Sequence, residues 1–206
     1  MKKIVLIIAL VLCCCMLYAE GTTIALCGSF DRLQQIHMPD TFTGSTAIGA
    51  QLGIDHNFES MDWLNVFATV DLNMPQWLYD GESSKAWEED PEKYTKSFRY
   101  AGKARLGAQV LLPYLMGGYL DLKAGIGVDV SYLRVRRVSL DEGIDIERIG
   151  VGACAIVCAD IYLFNALGLR LQGSADMCFA NFKSGEKPIF GFAIGYNAAV
   201  GAFVNF

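Results

Sequence analysis

The chain has 206 residues, of which 53% are hydrophobic and 19% are charged, and its formal net charge is −5. Soluble domains carry about 25% charged residues, so this chain is apolar, and with only 5 prolines it is not a disordered polar chain. The acidic balance argues against nucleic acid as a partner. Apart from the N-terminus, no apolar run approaches the roughly 20 residues of a membrane-spanning helix.

Residues 1–19 predict a secretory signal peptide that is removed on export. Lys2 and Lys3 form its basic start, an apolar stretch follows, and Ala19 offers a cleavage site. Lipoprotein processing at one of the consecutive cysteines 13–15 is the alternative route. The exported part is then residues 20–206.

From residue 22 onward, apolar and polar side chains alternate with a period of two, which predicts β-strands. In residues 64–74 every even-numbered position is apolar, whereas four of the five odd-numbered positions are polar. Similar alternation predicts eight strands, at about 22–30, 44–56, 64–74, 98–112, 120–132, 149–161, 169–179 and 190–206.

The strand length and the connections predict which face points outward. Most of these strands have 10 or more residues, which matches the roughly 9–11 residues of a membrane-spanning strand and exceeds the 5–6 residues that are typical of soluble proteins. Long polar connections, at about 31–43, 75–97, 135–147 and 182–188, alternate with short ones, at about 57–63, 113–118 and 163–167. This pattern predicts an all-β protein, an eight-stranded antiparallel transmembrane up-and-down barrel, with its apolar face in lipid and its long loops extracellular.

Aromatic residues cluster at both ends of the predicted strands, as in the interfacial belts of membrane proteins. The short-turn side holds Trp63, Tyr114, Tyr119, Tyr162, Phe164 and Phe206. The long-loop side holds Phe42, Trp77, Phe98, Tyr100, Tyr132, Phe179, Phe182 and Phe190.

The chain ends Tyr196-Asn-Ala-Ala-Val-Gly-Ala-Phe-Val-Asn-Phe206, which resembles the C-terminal signature of outer-membrane barrel proteins. Residues 147–182, with a Gly/Ala-rich strand, a short turn and Leu-Arg-Leu-Gln before a closing Phe, resemble a hairpin of the eight-stranded OmpA/OmpX/OmpW superfamily. Total length makes an OmpW-like protein the first choice. The resemblance implies contact with outer-membrane lipid, and it implies that Tyr196 and Phe206 form a signal for the barrel-insertion machinery.

The polar strand faces predict a network of charged side chains in the barrel lumen. Its candidate residues are Asp71, Lys103, Arg105, Asp121, Lys123, Asp129, Asp160, Arg170 and Asp176, joined by Asp55 and Arg99. Six acids against five bases predict mutual pairing, because unpaired buried charges are costly. A tight turn after residue 162 would set Asp160 opposite Arg170.

Around the preceding turn, we expect Lys103 and Arg105 to lie near Asp121 and Lys123. The network has two interpretations. It either plugs an interior that is just wide enough for side chains, or it lines a narrow gated pore whose charges select solutes.

The second long loop combines acidic and aromatic side chains. Acidic loops are usually only solvated, but the interleaved rings favour a contact surface for an extracellular or cell-envelope ligand. The candidate contact residues are Trp77, Tyr79, Trp87, Glu88, Glu89 and Tyr94. Their spacing is not that of a calcium loop, so no metal site is predicted.

No enzymatic site or cofactor is predicted. The chain has two histidines, His37 and His56, and the topology sets them at opposite ends of the barrel. Nucleotide, phosphate-loop and zinc motifs are lacking from the sequence. Four cysteines follow the signal segment, and their redox state stays open: Cys27, Cys154, Cys158 and Cys178.

These observations predict a monomeric small outer-membrane barrel. Its first predicted role is a narrow OmpW-like channel for small or apolar solutes. The alternative is an OmpX-like surface or adhesion protein with a plugged lumen, and a lipid-modifying enzyme is the third. A continuous lumen would favour transport, whereas a lumen crossed by ion pairs would favour the surface role.

Overall fold

The computed structural model describes residues 21–36, 45–58, 60–79, 96–138, 144–183 and 189–206. The predicted signal peptide, residues 1–19, lies outside these ranges. The strands are β1 (Thr22–Ile36), β2 (Ser45–Phe58), β3 (Met61–Asn73), β4 (Gln76–Tyr79), β5 (Lys96–Tyr114), β6 (Leu120–Val138), β7 (Ile144–Phe164), β8 (Leu167–Lys183) and β9 (Ile189–Asn205).

The strands form one closed antiparallel barrel. Their order is β3-β2-β1-β9-β8-β7-β6-β5-β4, and a further pairing of β3 with β5 closes the sheet. The four-residue β4 continues the line of β3 after a break and pairs with β5. Eight long strands therefore span the barrel, and the predicted up-and-down fold is confirmed.

The first and last strands of the barrel meet at the seam where β1 pairs with β9. Thr23 lies opposite Asn205, and the ladder continues to Ile36 opposite Phe192. At the seam end, the Gly21 amide donates to the Phe206 carbonyl at 2.9 Å. The first and last strands thus leave no open edge between them.

Several strands are longer than the sequence predicts. β1 runs to Ile36 rather than to about residue 30, and β7 has 21 residues. The extra residues are largely polar, and the prediction assigned them to loops. Their backbones nonetheless continue the ladder, because backbone pairing does not require apolar side chains.

Short connections lie at one end of the barrel, here called the turn end, and the opposite end is the loop end. A helical turn, Leu115–Gly118, joins β5 to β6 and contains Met116 with a φ of 54° and Gly117 with a φ of 76°. Within the described ranges, no helix is long and apolar enough to cross a membrane.

The barrel is apolar outside and polar inside. Leu26, Ile126 and Val200 are 67%, 74% and 58% exposed, whereas Asp71 and Asp160 are fully buried. A soluble barrel has the opposite polarity, so this exterior requires an apolar solvent.

Exposed aromatic side chains mark both ends of the exterior. Trp63 and Phe206 lie at the turn end, and Phe179, Phe182 and Phe190 lie at the loop end. Three predicted belt residues are different. Tyr162 points into the lumen, because it shares the inward face of β7 with Asp160, and the exposed Tyr119 and Phe164 line the mouth of the lumen at the turn end. Phe42, and the side chains of Trp77, Phe98, Tyr100 and Tyr114, lie outside the described parts.

Two phenylalanines inside the lumen lie over glycines of neighbouring strands. Phe67 is opposite Gly107, and Phe203 is opposite Gly168. A Cβ atom would lie 2.8 Å from the Phe67 ring at Gly107 and 2.6 Å from the Phe203 ring at Gly168. These glycines therefore provide the space that the rings occupy in a narrow interior.

We predict that Gly168→Ala destabilises the barrel by about 1–3 kcal/mol, because the added methyl group overpacks Phe203 and the facing backbone. Gly28→Ala is the matched control, since its nearest neighbour would be the Val200 carbonyl at 3.9 Å, and its effect stays below about 1 kcal/mol. Urea unfolding in lipid vesicles measures both. Equal stabilities of the two variants would contradict this account.

Candidate functional site

Four charged side chains form a cluster across the lumen toward the turn end. This turn-side cluster consists of Asp55, Lys123, Asp160 and Arg170, each at most 5% exposed. Arg170 donates Nε to Asp160 Oδ1 and Nη2 to Asp160 Oδ2, both at 2.7 Å. Planar forked pairing of this kind is strong and fixes geometry.

Further contacts close the turn-side cluster. Arg170 Nη2 also donates to Asp55 Oδ2 at 2.5 Å. Lys123 Nζ donates to Asp55 at 2.8 Å and to Asp160 at 2.7 Å. Asp55 on β2 lies across the barrel from β6 and β7, so the bonds cross the interior. The cluster is electrically balanced, with two acids and two bases.

Aromatic rings continue the turn-side cluster toward the turn end. The Arg170 guanidinium lies 5.9 Å from the centre of the Phe203 ring. Tyr162 meets that ring edge to face at 5.0 Å, and its hydroxyl donates to Asp121 at 3.0 Å. Sequence reasoning missed Phe203, because it followed only the apolar face of the last strand.

A second cluster crosses the lumen toward the loop end. This loop-side cluster consists of Asp31, Asp71, Lys103, Arg105 and Asp176. Arg105 binds Asp176 with Nε at 2.6 Å and Nη2 at 2.8 Å, and its Nη1 donates to Asp71. Lys103 donates to Asp31 at 2.9 Å and to Asp176 at 3.0 Å.

Asp31 was predicted to lie in the first long loop, and the structure corrects this. It lies on β1 and is 3% exposed. The prediction ended this strand at about residue 30, because Asp31 and Arg32 are charged neighbours. The alternation along β1 could have placed Asp31 in the strand, because Asp31 falls on the same inward face as Cys27 and Ser29.

The predicted neighbourhood of Lys103 and Arg105 with Asp121 and Lys123 is wrong. Residues of a hairpin face each other at equal distances from its turn. Lys103 therefore lies opposite Ser131, far from the turn, whereas Lys123 lies opposite Leu111 near it. The predicted opposition of Asp160 and Arg170 is present in the register.

Acids exceed bases inside the described barrel. Asp129 lies opposite Arg105, but Arg105 turns to other acids, and Asp129 Oδ1 has no hydrogen-bond partner. The buried aspartates are Asp31, Asp55, Asp71, Asp121, Asp129, Asp160 and Asp176, and the described lumen bases are Lys103, Arg105, Lys123, Arg148 and Arg170. The Arg99 side chain lies outside the description. The sequence-based count of six acids against five bases in the lumen thus omitted Asp31 and Arg148.

A cavity of about 1400 Å³ opens at the turn end. This turn-end vestibule is lined by Thr23, Asn57, Asn65, Tyr162, Asn165 and Asn205, and it reaches inward to Asp121 and Lys123. Lys123 also belongs to the turn-side cluster, so the vestibule ends where the ion pairs begin.

The predicted surface residues are described only in part. Trp77 and Tyr79 lie on β4, opposite Phe98 and Lys96. Trp87, Glu88, Glu89 and Tyr94 lie outside the described ranges. Their role as a contact surface stays a prediction.

The predicted insertion signal lies on the outer surface. Tyr196 and Phe206 are 50% and 55% exposed. Recognition by the insertion machinery stays a prediction for both.

Cys27, Cys154, Cys158 and Cys178 form no disulfide bonds with one another. Cys158 lies beside the turn-side cluster, with its sulfur 3.4 Å from Asp160 Oδ1. In the described part of the chain, no group of three or more His, Cys, Asp or Glu residues could hold a metal ion. His56, at the turn end, contacts Thr22 Oγ1 at 3.1 Å, and His37 lies outside the described ranges.

Known proteins resemble this chain in fold but not in sequence. No protein-family model and no curated protein matches it. Ail, the attachment invasion locus protein of Yersinia pestis, is similar with a TM-score of 0.57 and 10% identity, covering 91% of this chain and 100% of Ail. OprG from Pseudomonas aeruginosa is similar with a TM-score of 0.55 and 10% identity, covering 91% of this chain and 96% of OprG. Neisserial surface protein A is similar with a TM-score of 0.53 and 8% identity, covering 91% of this chain and 98% of that protein. The chain has the fold of the eight-stranded outer-membrane barrels.

We predict that Arg170→Met lowers the free energy of unfolding by about 3–5 kcal/mol, because it leaves a buried acid without its forked partner. Arg32→Met, on the exposed side of β1, is the matched control and changes stability by less than about 1 kcal/mol. Urea unfolding of both variants in vesicles provides the comparison. A loss below 1 kcal/mol for Arg170→Met would show that the turn-side cluster contributes little.

Proposed function

We propose that this eight-stranded barrel is a monomeric surface protein of the outer membrane, with a closed lumen and ligand-binding extracellular loops. In this role it is OmpX-like rather than an OmpW-like channel. Its signal peptide is removed on export, and its exterior contacts outer-membrane lipid.

The crossing of the lumen by buried ion pairs is the observation that carries the proposal. The turn-side cluster joins β2 to β6, β7 and β8, and the loop-side cluster joins β5 to β1, β3 and β8. A solute would have to break charge-assisted bonds at two successive levels. Each break would expose a buried charge, which is strongly unfavourable.

The shape of the loop end supports a display function. β5, β6 and β7 are 19 to 21 residues long, twice what a membrane-spanning strand requires. The ladder between β6 and β7 reaches Arg137 opposite Ile144. The barrel wall therefore extends well beyond an apolar layer and supports the long loops, including the segment with Trp77, Tyr79 and the acidic run.

The structural neighbours fit this role by analogy. One is named for attachment and invasion, and another is named a surface protein. A structure of Ail was also determined with sucrose octasulfate, a heparin analogue. At about 10% identity these names do not transfer a ligand, so the ligand of this chain is proposed only as extracellular.

A narrow channel is the second candidate, and the turn-end vestibule favours it. The cavity already reaches Lys123 from one end. Conduction would then require both ion-pair clusters to rearrange.

Planar-bilayer recording separates the two candidates. We expect the refolded wild-type protein to give no reproducible single-channel steps, because both clusters stay paired. A double variant, Lys123→Ala with Lys103→Ala, removes one base from each cluster and serves as the opened control, after heat-modifiable gel migration has verified its folding. Regular steps from the wild type would overturn the closed-lumen proposal.

Epitope display on intact cells tests the orientation. A short epitope inserted at residue 85, in the second long loop, should bind antibody on whole cells. The same epitope inserted between residues 165 and 166 should bind only after the cells are permeabilised, because that turn faces the periplasm. The reverse pattern of labelling would contradict the proposed topology.

A further inference from the structure

We infer that the turn-end vestibule is a binding site for a neutral, polyhydroxylated ligand of the saccharide class. The site lies at the opposite end from the proposed display loops. The inference rests on the cavity and its lining and goes beyond the proposed surface function.

The vestibule is a blind pocket. Its volume of about 1400 Å³ exceeds the roughly 300–1,000 Å³ of common small-molecule sites. At its inner end, Lys123 is held by Asp55 and Asp160 at 2.8 and 2.7 Å. A ligand that enters from the turn end is therefore stopped at the turn-side cluster.

Asparagine is the most frequent polar residue of the lining. Asn57, Asn65, Asn165 and Asn205 come from four different parts of the chain and converge on the cavity. Asn65 is only 3% exposed, and its Oδ1 has no hydrogen-bond partner. Asn57 Oδ1 is also buried without a partner. A side-chain amide donates hydrogen bonds through its nitrogen and accepts them through its oxygen, and a sugar hydroxyl can pair with either group.

Two of the three charged side chains that line the vestibule already have partners within the protein, and the third, Asp62, is exposed to solvent. Lys123 is paired with two aspartates, and Asp121 accepts from the Tyr162 hydroxyl. An ionic ligand would compete with these contacts, whereas a neutral ligand leaves them intact. Tyr119, which is 65% exposed, adds an aromatic ring at the wall, against which the apolar face of a sugar ring can pack.

A peptide fits this site less well than a saccharide. Extended peptides gain affinity mainly by adding a strand to an open sheet edge. Here β1 pairs with both β2 and β9, and β8 pairs with both β7 and β9, so these strands have no free edge at the vestibule. Side-chain amides then remain as the main recognition groups.

Calorimetric titration of the full-length protein in detergent tests the site, with N,N′-diacetylchitobiose and maltotriose as probes and trialanine as the peptide comparison. We expect saturable binding of at least one saccharide and none of trialanine. Asn65→Leu should weaken saccharide binding at least tenfold. Asn73→Leu is the matched control, because Asn73 lies on the same strand and is equally buried, but at the loop end, and its affinity should equal that of wild type.

If Asn65→Leu does not fold, as judged by heat-modifiable migration, Asn165→Leu in the exposed turn replaces it with the same expectation. Absence of saturable saccharide binding, or equal affinity of wild type and the vestibule variant, overturns the inference, as does preferential binding of trialanine. These outcomes are independent of bilayer conductance, which tests the closed lumen.

Discussion

The closing ladder between β1 and β9 is the constraint on which the rest of the structure depends. In lipid, an unpaired backbone amide or carbonyl has no water to bind, so a spanning sheet must have no edge. Closure satisfies the backbone and also encloses the inward side chains in a narrow space. Polar groups such as Arg170 and Asp160 must then find partners among themselves. The ion-pair clusters follow from the closed sheet, and the occluded lumen follows from the clusters.

Much of this fold was predictable from the sequence, because lipid and lumen impose opposite polarity on alternate residues. The alternation between Leu64 and Met74 identifies a strand and its lipid-facing side directly. Strand ends were less predictable. At the loop end the lipid constraint ceases, so polar residues such as Asp31 follow β1 without interrupting its ladder.

The lumen was predictable in composition but not in its partners. The alternation of side chains along each strand identifies the inward residues. The tight turn after β7 places Asp160 opposite Arg170. Contacts across the interior, such as Asp55 with Lys123, depend on the curvature and stagger of the whole barrel. No local pattern contains that information. Alternation places Phe203 on the inward face, but the space for its ring depends on Gly168 of the neighbouring strand.

The seam between β1 and β9 also constrains the order of assembly. The backbone of β1 finds its second partner only in β9, the strand farthest from it along the described chain. Until then β1 keeps an exposed edge and an apolar face, a combination prone to aggregation. Folding therefore depends on contacts of very high sequence separation, which is slow. Truncation of β9 would leave two unpaired edges rather than a smaller barrel.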